Sequence, residues 1–192
     1  MKAQLFLTAQ LLAIAMGNLA GDANAIETIL AELEMEVPAT ANVCFTTEDY
    51  AKGKAFIQDI ISASAMSNAA FAKAQNETDH MALSADYREA LVGVDQLIKV
   101  MQTRLEPIVA KIPLETPPCV IDDHQCDHQL IQSTGALVQK DLMGLLQDSM
   151  ATAAITDPAQ CAKIYKDEFK KSSDLICDMR KLTAVVQACI DE

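Results

Sequence analysis

The chain has 192 residues, 51% of them hydrophobic, and a formal net charge of −12 at pH 7. That acidity disfavours polyanionic partners, because nucleic acid and anionic membrane surfaces repel such a chain at long range. With no tryptophan, six glycines and much alanine, leucine, glutamine and lysine, the composition favours helix over strand.

The opening stretch MKAQLFLTAQLLAIAMGNLAGDANA combines an early lysine, an apolar run from Leu5 to Met16 and the small-x-small triplet Ala23-Asn24-Ala25. This is the pattern of a secretory signal peptide over residues 1–25, cleaved after Ala25. An uncleaved anchor fits less well, since Thr8 and Gln10 interrupt a run already shorter than the ~20 apolar residues of a spanning helix. Cleavage removes one charge of each sign, Lys2 and Asp22, so residues 26–192 keep the same net charge and are expected to form a single helical domain, secreted and extracellular.

Within that domain Ile26, Ile29, Leu30, Leu33 and Val37 recur at helical spacing, and Pro38 ends the run. A second helix is expected from Thr46 or Thr47, where Glu48 and Asp49 complement the helix dipole, through Tyr50, Ile57, Ile60, Ile61 and Ala65 to about Ala74. Asn76-Glu77-Thr78 follows as the single N-glycosylation acceptor, which places Asn76 on the surface. A third helix is expected from Ser84, with the stripe Tyr87, Leu91, Val94, Ile98, Met101, Leu105 and Ile108; Pro107 should kink or end it. The run Pro113-Leu114-Glu115-Thr116-Pro117-Pro118 is the strongest breaker in the chain.

Beyond the breaker, Leu130, Leu137, Val138, Leu142, Leu145, Leu146 and Met150 mark a fourth helix. Asp157-Pro158 is a start signal: the aspartate caps free amides, and proline at the first helical position lacks only an amide that would be unbonded anyway. Ile164, Tyr165 and Phe169 follow it, and Leu175, Ile176, Met179, Leu182, Val186 and Ile190 follow Ser172-Ser173, as one helix or as a hairpin. The fold class is therefore all-α, a disulfide-stapled bundle of five or six amphipathic helices.

The stapling is read from Cys44, Cys119, Cys126, Cys161, Cys177 and Cys189, an even count behind a secretory signal. Fifteen pairings are open. Only Cys44 precedes the proline-rich breaker, so with every cysteine oxidised within the chain it must pair across it. The breaker is then a loop inside one domain. Cys119 and Cys126 are expected to be oxidised, with partners that include each other across six residues.

Between those two cysteines and the fourth helix lies Asp122-Asp123-His124-Gln125-Cys126-Asp127-His128, the densest group of metal-ligand types in the chain. On a helix, His124 and His128 would stand one turn apart and could hold zinc or copper, with Asp123 or Asp127 completing a shell. Oxidised cysteines are poor ligands, however, and no HExxH signature is present. Solvated histidines beside a disulfide are the simpler expectation. No nucleophile elbow, glycine-rich phosphate loop or EF-hand occurs, His80 reads as a polar residue exposed to solvent, and the scattered carboxylates define no catalytic pair. No catalytic residue and no cofactor is expected.

Cys44, Thr47 and Tyr50 are similar to the opening motif of plant invertase and pectin methylesterase inhibitors, which are secreted helical bundles, and AAITDPAQC ending at Cys161 resembles their late cysteine motif. Gly53 stands where the second cysteine of that opening would fall, and Cys119, Cys126, Cys177 and Cys189 follow no pattern of that family, so the chain is not assigned to it. The expected function is that of a secreted non-enzymatic binding protein holding a small apolar, lipid-like ligand between helices. The alternative is an extracellular protein–protein interaction module, such as an inhibitor, acting through its acidic surface. The methionines fit either a ligand pocket or ordinary core filling. Oligomeric state is open.

Overall fold

The structure, a computed structural model, describes Cys44 and residues 47–122, 124–152 and 157–192. The expected signal peptide and the helix expected from Ile26 to Val37 lie outside the described residues. What is described is all helical, without strands, and pinned by three disulfides. It comprises α1 (Thr47–Ala74), α2 (His80–Val109), α3 (His128–Thr152), a single 3-10 turn (Pro158–Gln160) and α4 (Cys161–Ile190). None of these helices is long and apolar enough to cross a membrane.

Three boundaries differ from, or decide between, the expectations. The helix expected from Ser84 begins four residues earlier, because Asp79 accepts a hydrogen bond from the Ala82 amide through its side chain and leaves Ser84 buried in the second turn. Pro107 does not stop α2 short; it lies in the last turn, where only one intrahelical bond is lost, and the Ala110 amide still reaches the Glu106 carbonyl. Ser172-Ser173 does not break the last element. Both serines are buried inside one continuous α4, whose start is prepared, as expected, by Asp157 accepting from the Ala159 amide ahead of Pro158.

α1 packs along α2, α2 along α4, and α4 along α3. The ring closes where Gln139 of α3 donates to Asn68 of α1 at 2.8 Å. In α2 the buried residues Tyr87, Val94, Met101 and Ile108 recur every seven positions, with Ala90 and Leu97 in register between them. This is the seam of knobs-into-holes packing, in which the repeat stays turned toward its neighbours over the whole length. The α1–α2 contact is made of small residues: Ala63, Ser67, Ala70 and Ala74 face Ala90 and Gly93, and a Cβ on Gly93 would lie 2.8 Å from both the Ser67 amide nitrogen and its Cβ. Only a glycine permits so close an approach.

The core runs through all four helices, with Leu145, Leu175, Met179, Val185 and Val186 nearly without solvent contact. A second cluster at one end gathers Cys44, Ile108, Ile164, Tyr165 and Phe169. There Cys44 is bonded to Cys161, and its carbonyl accepts hydrogen bonds from the Tyr165 hydroxyl and from Lys111. Cys44 does pair across the proline-rich breaker, and the two halves are one stapled unit.

Candidate functional site

Prolines at 113, 117 and 118 remove amide donors and disfavour helix in the residues before them. Between Ile112 and Asp127 the described chain accordingly carries no regular helix. It is held instead by Cys119–Cys177 and Cys126–Cys189. Cys119 and Cys126 are therefore not bonded to each other; both reach the same helix, α4, because the connection runs alongside it. The two anchoring cysteines of α4 are twelve residues apart, about 18 Å at the helical rise of 1.5 Å per residue. Their partners are only seven residues apart. The two bridges, with Cα–Cα separations of 5.5 and 4.4 Å, can take up the difference.

Past the second anchor, Asp127 accepts hydrogen bonds from the Gln129 and Leu130 amides and starts α3 at His128. His124 lies outside that helix. The one-turn spacing that would have aimed both imidazoles at one ion is thus not realised, because the disulfide and the aspartate cap set the helix start after Cys126. Asp123 lies outside the described residues.

His128 has other partners. Its Nδ1 shares a 2.7 Å hydrogen bond with the hydroxyl of Tyr87, and the two rings stack with centroids 6.1 Å apart. Burial pushes the Tyr87 phenol above its ordinary value, which keeps it protonated as the natural donor. Its Nε2 lies 3.9 Å from the Cys126 sulfur. Phe71 packs edge-on against Tyr87 at 6.4 Å, so the imidazole is stacked against an aromatic pair anchored in the core. Residues 124–130 line a broadly open depression of about 600 Å³.

Cys126, His128 and Cys189 bring one nitrogen and two sulfurs within 4.8 Å of one another. In number and type these suit zinc, but both sulfurs are spent in their mutual disulfide and have no thiolate charge to offer. In the oxidised chain the trio is a buttressed disulfide.

Asn76 is exposed in the α1–α2 turn, its side-chain amide donating to the Ala72 carbonyl at 3.1 Å. His80 is exposed at the start of α2. Two features had no counterpart in the sequence reading. Val120 is 70% exposed and Ile121 43%, side by side beyond Cys119. An ion pair also joins Arg104 of α2 to Glu168 of α4 inside the bundle. The signal for the pair was available: Arg104 continues the series Ala90, Leu97 at the same seven-residue spacing, a charge in an otherwise apolar seam. No protein-family model, curated protein or solved structure matches the chain.

Proposed function

We propose that this chain is a secreted, non-enzymatic protein that binds another extracellular protein through its outer surface. The observation that carries this reading is the Val120-Ile121 pair, two adjacent aliphatic side chains held in water on a disulfide-anchored connection. Exposed apolar residues are ordinary when scattered; two consecutive ones on a disulfide-anchored segment offer a partner an apolar contact. The net charge of −12 favours a partner with a basic rim, which would be steered toward this face.

A small apolar ligand between the helices has less support. Met101 and Met179 fill the core rather than line a space, and Val94, Leu145, Leu175 and Val186 close the seam around them. Two depressions among the described residues, about 600 and 270 Å³, open to solvent. A ligand between the helices would have to displace these packed side chains.

Native mass spectrometry of the chain taken from its natural extracellular fluid tests the choice. The expected result is a complex with a second protein, whose cross-links fall on the exterior of the bundle. Recovery of the chain with a stoichiometric small apolar molecule and no protein would overturn it in favour of the ligand reading.

A further inference from the structure

Three donor atoms meet where α3 begins and α4 ends. The sulfurs of Cys126 and Cys189 and a ring nitrogen of His128 lie within 4.8 Å of one another, and the Cα atoms of the two cysteines are 4.4 Å apart. The imidazole is aimed as well as near. Buried Tyr87 bonds its Nδ1 at 2.7 Å and stacks on the ring, while Nε2 lies 3.9 Å from the Cys126 sulfur. An imidazole oriented through one nitrogen, with the other beside two sulfurs, is how a metal-ligating histidine sits with its outer-shell partner. Two cysteines and one histidine are a donor set that zinc takes, and the open depression lined by residues 124–130 leaves the fourth tetrahedral position to water. Among the described residues, neither of the other two bridges has such a third donor.

We propose that the dithiol form of this chain binds one zinc ion through the thiolates of Cys126 and Cys189 and Nε2 of His128, so that a disulfide and a metal alternate at one place. A dithiol reductant opens the bridge by exchange. Its first thiolate attacks the partly exposed Cys126 sulfur and Cys189 leaves as a thiolate; its second thiolate then closes the reductant's own disulfide and releases Cys126. Two electrons pass from the reductant to the bridge, and zinc binding returns to water any protons the two thiols have taken up. The bond is not all that keeps the donors together. Asp127 caps α3 directly after Cys126, Ile131 is buried one turn on, and α3 packs along α4, where Cys189 and Ile190 are buried. Zinc–sulfur and zinc–nitrogen bonds of about 2.3 and 2.0 Å set tetrahedral donors about 3.6 to 3.8 Å apart. The Cys126–His128 pair is close to that spacing already, and rotation of the cysteine side chains lets the two sulfurs part. With Nε2 on the metal, Nδ1 carries the ring proton and donates it to the Tyr87 hydroxyl oxygen.

The test reduces the full-length chain with a phosphine, which brings no sulfur to compete for metal, and titrates it with zinc and, for its spectrum, with cobalt. The expected result is one tightly held ion per chain, a cobalt–thiolate absorption band with tetrahedral visible bands, and no binding before reduction. His128→Ala should weaken zinc binding about a hundredfold and Tyr87→Phe, which keeps the ring but loses the hydrogen bond, about tenfold. The double variant Cys119→Ser, Cys177→Ser should bind as the parent does. Circular dichroism reports whether the reduced chain keeps its helices. If it does not, Cys126→His leaves the other two bridges closed and offers zinc the Cys189 thiolate with two imidazoles; zinc should then raise the melting temperature, and adding His128→Ala should remove the rise. A helical reduced chain that takes no zinc, binding that survives His128→Ala, or binding lost with Cys119 and Cys177 would overturn the inference. Where the reduced chain unfolds, a Cys126→His chain indifferent to zinc does the same.

Discussion

Arg104 and Glu168 form an ion pair across the α2–α4 interface, with side-chain exposures of 15% and 4%. Burial raises the Glu168 carboxyl above its ordinary value, opposed by the Arg104 charge, and the same burial lowers Arg104. Such a pair adds little net stability over an apolar isostere, yet breaking it strands a charge.

Arg104→Met should therefore destabilise the fold by about 3–5 kcal/mol at neutral pH, and the double variant Arg104→Met, Glu168→Met should recover most of that loss. The single variant should also show a distinct pH dependence. With the opposing arginine gone, the folded-state pKa of Glu168 rises further above its unfolded value. The stability associated with its protonated form is present below the unfolded pKa of about 4.3 and is lost as pH rises through the folded one. Urea unfolding of the single variant at pH 4, 5, 6 and 7 should show stability falling with pH more steeply than in the parent. A single variant as stable as the double one would contradict the buried pair.

Gly93 and Gly135 should respond oppositely to the same change. Alanine at 93 meets the backbone of α1, with the Ser67 nitrogen at 2.8 Å and the Ala63 carbonyl oxygen at 3.0 Å, and neither can swing aside as a side-chain tip would. Overpacking of this kind costs about 1–3 kcal/mol. Alanine at 135, in α3, meets nothing within 4 Å and gains helix propensity of up to about 1 kcal/mol. Thermal melts of the two variants should move in opposite directions; a Gly93→Ala chain with an unchanged melting temperature would show that the two helices do not approach so closely.

How far the sequence reading reached depended on the range of the interaction involved. Heptad-spaced Tyr87, Val94, Met101 and Ile108 were legible because helical periodicity is local. So was the Asp157-Pro158 start, whose cap closes within two residues. Ser172-Ser173 leaves one helix or a hairpin open, because serine favours helix ends; in the fold the flanking Phe169 and Leu175 are buried on both sides, the helix is continuous, and the serine hydroxyls are buried without a hydrogen-bond partner. The partners of Cys119 and Cys126 could not be read at all. They depend on which helix the connection lies against, 58 and 63 residues away in sequence. The Tyr87–His128 hydrogen bond, spanning 41 residues, was hidden for the same reason.

The three disulfides should differ in how readily they open. Each closes a loop of 58 to 117 residues, so the chain-entropy model assigns each about 4–5 kcal/mol of stabilisation. Their access differs more. Cys44 and Cys189 are buried, which shields one sulfur of each bridge, whereas Cys119 and Cys177 are both partly exposed. Thiolate attack needs a reachable sulfur. Thiol labelling under denaturing conditions should find no free cysteine in the untreated chain. After brief treatment of the folded chain with a mild reductant, peptide mapping should find label first on Cys119 and Cys177. Early labelling of Cys44 would contradict the burial of the first bridge.

Zinc or copper added to the oxidised chain at neutral pH should leave its melting temperature unchanged. Cys126 and Cys189 offer no thiolate while bonded to each other, His124 is off the helix that carries His128, and the His128 Nδ1 is engaged by Tyr87. A single imidazole nitrogen then faces any ion from this cluster, too few donors for the tetrahedral set that zinc takes. A real site would declare itself by mass action, since an ion that prefers the folded state adds about 2.7 kcal/mol at a hundredfold excess over its Kd. Differential scanning calorimetry with and without metal, on the parent and on His124→Ala, His128→Ala, separates the cases. A metal-dependent rise in the parent that the double variant loses would show that the cluster binds an ion despite its disulfide, with donors arranged otherwise than these contacts allow.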